Sequence, residues 1–256
     1  MGDYIQSNSI IEERISIKGI PAILFRQKEE NESIPTIIFY HGWSSKKESQ
    51  RIRGFLLAAV GYQVIIPDAI NHGERNPLND YEKVENVVKY LWDTIFTNLE
   101  EGDIIVEELI SKYNTDPNRI GVMGHSMGGM TTAGLFTHNP KIKTAIVLNG
   151  SCAWEDLNNR FKERLDMDIE TKELDNTINE IDPMSNLDLM VDRPILLQNG
   201  GSDVVVPPES QERFYNEIIP LYENREKINF LKYTHLNHFV TTNMMEDSIA
   251  WLYKYL

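Results

Sequence analysis

The sequence predicts an α/β protein in which helices cover both faces of a mostly parallel β-sheet. Short apolar runs bounded by turn residues alternate along the chain with stretches of helical periodicity. Most of these runs are apolar at nearly every position, as in strands covered on both faces; residues 36–40, Thr-Ile-Ile-Phe-Tyr, are the clearest case. The chain of 256 residues suits a single domain, residues 1–256.

The predicted elements follow one another in a regular order. Residues 10–17 and 21–26, on either side of Gly19, are expected to form an opening hairpin. Later apolar runs predict further strands at residues 36–40, 63–67, 119–123, 144–148, 194–198 and 228–233. Between them, helical periodicity predicts helices near residues 47–60, 81–99, 106–113, 128–137, 209–223 and 242–255.

Residues 153–191 interrupt this alternation, because they are rich in Asp, Glu and Asn and show no strand pattern. Apolar side chains recur there at the spacing of an amphipathic helix, at Trp154, Leu157, Phe161 and Leu165. We expect a small helical cap inserted after the sixth strand. The sequence leaves two interpretations of this cap open: a lid over a pocket, and a packed helix pair with its acidic face toward solvent.

Composition and charge narrow the class of function. Hydrophobic residues make up 41% and charged residues 25% of the chain, as in folded globular proteins. The 25 Lys and Arg against 39 Asp and Glu give a net charge of −14, and this negative field disfavours nucleic-acid and membrane partners. The single cysteine, Cys152, can form no internal disulfide, and no targeting or membrane-spanning segment is visible. We therefore expect a cytoplasmic protein, of an oligomeric state that the sequence leaves open.

Residues 124–128, which read Gly-His-Ser-Met-Gly, carry the sharpest chemical signal. They lie directly after a predicted strand and directly before a predicted helix, the context of a nucleophile elbow. In such an elbow a strained serine lies above the sheet, at the positive end of the following helix. The tight turn leaves no room for a Cβ at either glycine. We therefore predict that Ser126 is a nucleophile.

A serine hydroxyl is a weak nucleophile and needs a base, which an acid orients. In chain order both partners are expected after the serine, each beyond a later strand. Asp203 follows the predicted strand 194–198 and is the predicted acid, with capping of a Gly-rich turn as its alternative role. His238 follows the predicted strand 228–233 and is the predicted base, with His235 as its rival.

A developing oxyanion needs hydrogen-bond donors that are already in place. The backbone N–H of Met127, directly after the serine, is the first predicted donor. The loop after residues 36–40 reads His-Gly-Trp, and the backbone N–H of Trp43 is the second predicted donor. The Trp43 indole is expected either to wall the pocket or to pack on the first helix.

Taken together, these motifs resemble the α/β-hydrolase superfamily, and more narrowly its dienelactone hydrolase-like and prolyl-oligopeptidase-like branch of small bacterial serine esterases. The motifs are Tyr-His-Gly-Trp at 40–43, Asp-Pro-Asn-Arg-Ile-Gly at 116–121, Gly-His-Ser-Met-Gly-Gly at 124–129, Gly-Ser-Asp at 201–203 and Asn-His-Phe at 237–239. The resemblance implies an eight-stranded, mostly parallel sheet and a serine carboxylesterase with Ser126, Asp203 and His238 as its triad. The elbow departs from dienelactone hydrolases themselves, which carry a cysteine nucleophile.

The predicted function is hydrolysis of small carboxylic esters through an acyl-enzyme, with a small-molecule ester as partner and no cofactor. A small aminopeptidase, a thioesterase and a non-catalytic ligand-binding protein of the same fold are the alternatives. No metal or nucleotide site is expected, since the histidines lack metal-ligand spacing and the Gly-rich turn lacks the Lys of a phosphate loop. Whether His72 and Arg75 contact substrate or brace their loop is left open.

Overall fold

The computed structural model describes residues 5–28, 33–164 and 172–256. Eight strands form one sheet in the order β1-β2-β4-β3-β5-β6-β7-β8. The strands are β1 (Ile10–Ile17), β2 (Ile20–Gln27), β3 (Ile34–Tyr40), β4 (Gln63–Pro67), β5 (Thr115–His125), β6 (Thr144–Leu148), β7 (Ile195–Gly200) and β8 (Ile228–Tyr233). β1 and β2 form the predicted hairpin, β2 runs antiparallel to β4, and β3 to β8 are parallel. The predicted fold class is confirmed.

Helices cover both faces of the sheet, and the central strand β3 shows why a strand in this position is apolar at nearly every residue. Alternate side chains of a strand point to opposite faces. Ile38 and Tyr40 enter one core, and Ile37 and Phe39 enter the other. The helices are α1 (Arg51–Ala59), α2 (Val84–Lys112), α3 (Met127–His138), α4 (Trp154–Arg164), α5 (Lys172–Ile181), α6 (Pro208–Ile218) and α7 (Thr242–Tyr255).

Helix α2 corrects one prediction, because it is a single helix of 29 residues where two helices, near residues 81–99 and 106–113, were expected. The apparent break contains Gly102, which is buried inside α2. A Cβ at Gly102 would lie 2.3 Å from Leu135 Cδ2, so the glycine permits close packing of α2 against α3 and does not end the helix. No helix in the described ranges is both long enough and apolar enough to cross a membrane.

The inserted cap contains α4 and α5, and both helices pack on the body of the protein. Trp154 and Leu157 on α4 and Ile178 on α5 are fully buried, in a core that they share with α2 and α3. The Asp182 carboxylate accepts the backbone N–H groups of Trp154 and Glu155, at 2.9 and 2.8 Å, and so caps the start of α4.

The apolar face predicted from the spacing in this cap is therefore buried at Trp154 and Leu157 and half-buried at Phe161. Leu165, the last member of that spacing, lies outside the described residues. The boundaries of the cap at residues 153–191, within a single domain, stay a prediction.

Candidate active site

The carboxyl ends of the parallel strands meet at one edge of the sheet. Tyr40 on β3 lies opposite Gly124 on β5, and Leu148 on β6 lies between His125 on β5 and Gln198 on β7. Loops that follow β3, β5, β7 and β8 therefore emerge side by side. All five residues that the sequence predicts for the site lie on these loops or on the first turn of α3.

Ser126 lies in a sharp turn between β5 and α3. Its φ of 60° and ψ of −122° are a strained combination for a residue with a side chain. A Cβ at Gly124 would lie 2.1 Å from Gly128 O, and a Cβ at Gly128 would lie 2.2 Å from Tyr40 O. Because no side chain fits at either position, the two glycines are required by the turn that exposes the serine.

The backbone of Ser126 is held on both sides. Its N–H donates to Leu148 O on β6 at 2.9 Å, and its carbonyl oxygen accepts from the N–H groups of Gly129 and Met130. The residue is 8% exposed, and it lines a cavity. The turn thus fixes the position of the serine Cβ, and no described residue forms a hydrogen bond with the hydroxyl.

Asp203 and His238 form a hydrogen-bonded pair. The His238 Nδ1 lies 2.7 Å from Asp203 Oδ2, and the aspartate side chain is fully buried. Asp203 Oδ1 accepts the N–H groups of Val205 and Val206, at 2.8 and 3.0 Å. Asp203 therefore holds its own loop, which was its alternative role, and also binds the imidazole.

The His238 ring also packs against a second imidazole. The ring centroids of His125 and His238 are 4.7 Å apart, and His125 directly precedes Ser126 in the elbow. Within the described residues no hydrogen bond joins the Ser126 hydroxyl to His238; contacts of this kind are often long without substrate. His235, the rival base, is exposed, and the described residues include no hydrogen bond from its ring.

His125 is not among the predicted site residues, yet its ring contacts the ring of the predicted base. Burial, together with the smaller effects of the nearby His238 and Arg53, lowers the pKa of His125 to about 3. His125 is therefore a neutral imidazole at physiological pH. The sequence offered no signal for this contact, since the two histidines are far apart in the chain.

The predicted oxyanion loop lies against the elbow. A Cβ at Gly42 would lie 3.2 Å from the Cβ of Ser126, so the backbone of this loop passes directly beside the serine. The N–H of Met127 precedes the hydrogen-bond ladder of α3. Neither this N–H nor that of Trp43 takes part in a turn or loop hydrogen bond of the described chain.

The Trp43 indole walls the cavity, one of the two roles expected for it. Its Nε1–H donates to Tyr81 O at 2.8 Å, and its ring packs edge-on against His72 and Tyr81. His72 is buried in this aromatic cluster, where Nδ1 bonds Ile70 O at 2.8 Å. These contacts support the loop that carries the Trp43 N–H.

Arg75 braces the same region through an ion pair. Its guanidinium makes two hydrogen bonds to Glu101 on α2, at 2.7 and 2.6 Å, and a third, at 3.2 Å, to Asp68 O. The structure therefore favours bracing for Arg75, and the contacts of His72 are likewise with its own loop and its aromatic neighbours.

A cavity of about 210 Å³ opens beside Ser126. Its walls come from the oxyanion loop, α2, α3, the end of α4 and the loop after β7, and they are mostly apolar. The lining residues are Trp43, Glu82, Val84, Val87, Leu91, Ser126, Met127, Met130, Phe161, Arg164, Val205 and Val206. Among the described residues, no three His, Cys, Asp or Glu side chains are grouped to hold a metal ion.

The sheet order, the serine elbow and the acid–histidine pair after later strands define an α/β-hydrolase. Residues 103–256, more than half of the chain, match the prolyl oligopeptidase family. The chain belongs to this family, in agreement with the resemblance seen in its motifs.

Individual relatives extend the similarity over nearly the whole chain. "Putative esterase YitV" of Bacillus subtilis (strain 168) is 28% identical over 258 residues, 95% of this chain and 98% of the relative. "Esterase YjfP" of Escherichia coli (strain K12) is 26% identical over 72% of this chain and 75% of its own length. The crystal structure of TT1662 from Thermus thermophilus shares the fold, with a TM-score of 0.77, 17% identity and coverage of 96% and 97% of the two chains.

Proposed function

We propose that this protein is a serine hydrolase that cleaves small carboxylic esters, with Ser126, Asp203 and His238 as its catalytic triad. The observation that carries the proposal is the Asp203–His238 pair at the sheet edge where the strained Ser126 opens into a cavity. The names of the two relatives, both esterases, support an ester as the substrate.

The residues divide the chemistry among them. His238 accepts the Ser126 proton as the hydroxyl attacks the ester carbonyl, and Asp203 stabilises the imidazolium that forms. The N–H groups of Trp43 and Met127 stabilise the oxyanion. His238 then returns the proton to the leaving alcohol as the C–O bond breaks, and a water activated by the same imidazole hydrolyses the acyl-enzyme.

The cavity and the charge of the protein favour small, uncharged or cationic esters. An apolar cavity of about 150 Å³ is enough to hold benzene, so a space of about 210 Å³ suits a short or aromatic acyl group. The net charge of −14 should slow the approach of anionic esters. The same charge argues against nucleic-acid and membrane partners, and the lone, buried Cys152 is in keeping with a cytoplasmic location.

Glu82 favours one second candidate, hydrolysis of aminoacyl substrates. Its side chain lines the cavity, and no described residue forms an ion pair or side-chain hydrogen bond with it. A free carboxylate at this place could bind the ammonium group of an amino acid. Comparing p-nitrophenyl esters with aminoacyl p-nitroanilides separates the two activities, and we expect the esters to be hydrolysed faster.

A fluorophosphonate probe tests the nucleophile directly. We expect labelling of the wild-type protein at Ser126, shown by mass spectrometry, and no labelling of Ser126→Ala. Ser111→Ala, which removes a serine far away at the end of α2, is the control and should label normally. A folded wild-type protein that remains unlabelled would show that the proposal is wrong.

A further inference from the structure

Exposed apolar side chains flank the acid and the base of the site. Val204, directly after Asp203, is 66% exposed, and Phe239, directly after His238, is 68% exposed. Val205, which follows Val204, is 41% exposed and also lines the cavity beside Ser126. We refer to Val204, Val205 and Phe239 as the apolar rim. Their positions directly after the acid and the base are what set these exposed side chains apart from other exposed apolar residues of the chain.

The backbone of the apolar rim is fixed. Asn237 Oδ1 accepts the N–H of Val204 at 3.2 Å and the N–H of His238 at 2.8 Å, and so ties the two loops together. Phe239 donates its N–H to Asn237 O at 2.8 Å and accepts a hydrogen bond from Asn149 Nδ2 at 2.9 Å. The rim is therefore presented by an ordered hydrogen-bond network.

The path of the proton indicates which part of the ester lies in the cavity and which part lies beside the apolar rim. The proton taken from Ser126 must pass from His238 to the oxygen of the leaving alcohol, so the alcohol has to lie next to that imidazole. His238, Val204 and Phe239 do not line the cavity. The acyl group is thus directed into the cavity, and the alcohol lies on the outer side, beside the apolar rim.

We propose that the apolar rim binds the alcohol part of the ester, and that the enzyme therefore prefers esters of apolar or aromatic alcohols. This inference rests on the proposed esterase function and adds the class of leaving group to it. Three side chains are too few for a stable subunit interface, which buries about 800 Å² on each partner. An alcohol of the size of benzyl alcohol is a better match.

The test compares two acetates, benzyl acetate and 2-methoxyethyl acetate, which differ in the polarity of the alcohol. Both form the same acetyl-enzyme, so kcat/KM, which covers the steps up to release of the alcohol, reports recognition of the leaving group. We expect the wild-type enzyme to favour benzyl acetate. Phe239→Ala and Val204→Ser should each lower the ratio of the two kcat/KM values, and the decrease for Phe239→Ala should be about 5- to 10-fold because much of an aromatic contact is lost.

Leu221→Ala is the matched control, since Leu221 is also an exposed apolar residue, 48% accessible, but follows α6 and lies outside the cavity wall and the site loops. Its ratio should equal that of the wild type. The inference would be overturned if Phe239→Ala left the ratio unchanged, whether or not both kcat/KM values fell. It would also be overturned if Phe239→Ala converted a dimer to a monomer without changing selectivity. A wild-type enzyme that hydrolyses neither acetate would instead contradict the proposed esterase function itself.

Discussion

The His41 imidazole is hydrogen-bonded to the carbonyl oxygen of Gly42, with Nδ1 2.9 Å from that oxygen. Its other nitrogen, Nε2, accepts the backbone N–H of Ala69 at 3.1 Å, so the proton must lie on Nδ1 and the ring must be neutral. Burial, the main cause, lowers the pKa of His41 to about 4, in keeping with this tautomer. The Gly42 carbonyl and the Trp43 N–H belong to one planar peptide unit, so His41 orients the proposed oxyanion donor.

We therefore expect His41→Phe to lower kcat by about 10- to 100-fold, part of the effect of losing an oxyanion donor, with KM changed much less. His41→Asn should recover part of the activity, because its Nδ2–H₂ can still donate to the Gly42 carbonyl. Steady-state kinetics with a p-nitrophenyl ester measure both effects. His138→Phe, an exposed histidine remote from the site, is the control, and equal losses in the Phe and Asn variants would argue against an orienting role.

Separate substitutions of His238 and His235 distinguish the two candidate bases. His238→Gln should lower kcat by about 10⁴-fold, and Asp203→Asn by a similar factor, because the imidazole loses its partner. His235→Gln should stay within about twofold of the wild type, since its side chain is exposed and Asp203 binds the other histidine. The reverse ranking of the two histidine variants in ester hydrolysis would refute the assignment of the base.

The cavity predicts a limit on acyl length. Val87 on α2 lines the cavity, and Val87→Phe should fill part of its volume of about 210 Å³. We expect kcat/KM for p-nitrophenyl hexanoate to fall about 10-fold or more, while the value for the acetate changes little, because overpacking excludes the longer chain. Ile104→Phe, an exposed position on the same helix, is the control. Parallel changes for both esters would mean that the acyl group lies elsewhere.

The imidazole of His125, whose Nε2 is buried, should make the folded protein sensitive to acid. Its pKa of about 3 lies below the ordinary value of 6.5, because burial disfavours the charged form; His238 and Arg53 are the titratable and charged groups that face it. As the pH falls below about 6.5 the unfolded chain binds a proton at this residue and the folded protein does not. Stability present above pH 6.5 is therefore lost progressively toward pH 3.

Because of this single group, the free energy of unfolding should be about 2 kcal/mol lower at pH 5 than at pH 7. His125→Phe keeps a ring of similar size and removes the titration, so its stability should decrease less between pH 7 and pH 5. His235→Phe, at an exposed position, should show the full decrease of the wild type. Urea denaturation at the two pH values gives the comparison, and an undiminished decrease in His125→Phe would contradict the prediction.

Lys47 should be required for stability although it is charged. Its ammonium group is buried between Asp68 and Glu74, at 2.5 and 2.6 Å, and the Asp68 carboxylate is fully buried. Lys47→Met leaves that carboxylate without its counter-ion, at an expected cost of about 3–5 kcal/mol. Lys46→Met, at the exposed neighbouring position, should change the free energy of unfolding by less than about 0.5 kcal/mol. Similar denaturation midpoints for the two variants would exclude this role.

The sequence by itself determined the fold class and the order of the site residues, because both are expressed in local patterns. Apolar runs such as residues 36–40 report burial on both faces of a strand, and the glycines at 124 and 128 report a turn too tight for a Cβ. The positions of Ser126, Asp203 and His238 after β5, β7 and β8 placed all three at one edge of the sheet.

Only the tertiary structure decided which distant side chains meet. Three contacts join residues that are far apart in the chain, and no local periodicity encodes them. They are the ring contact of His125 with His238, the hydrogen bond from Val204 N–H to Asn237 and the hydrogen bond from Ala69 N–H to His41. The helices expected near residues 81–99 and 106–113 are one helix for the same reason, since the role of Gly102 between them depends on Leu135 of another helix. Periodicity reports how far a segment is buried, whereas the partner that buries it is set by the packing of the whole chain.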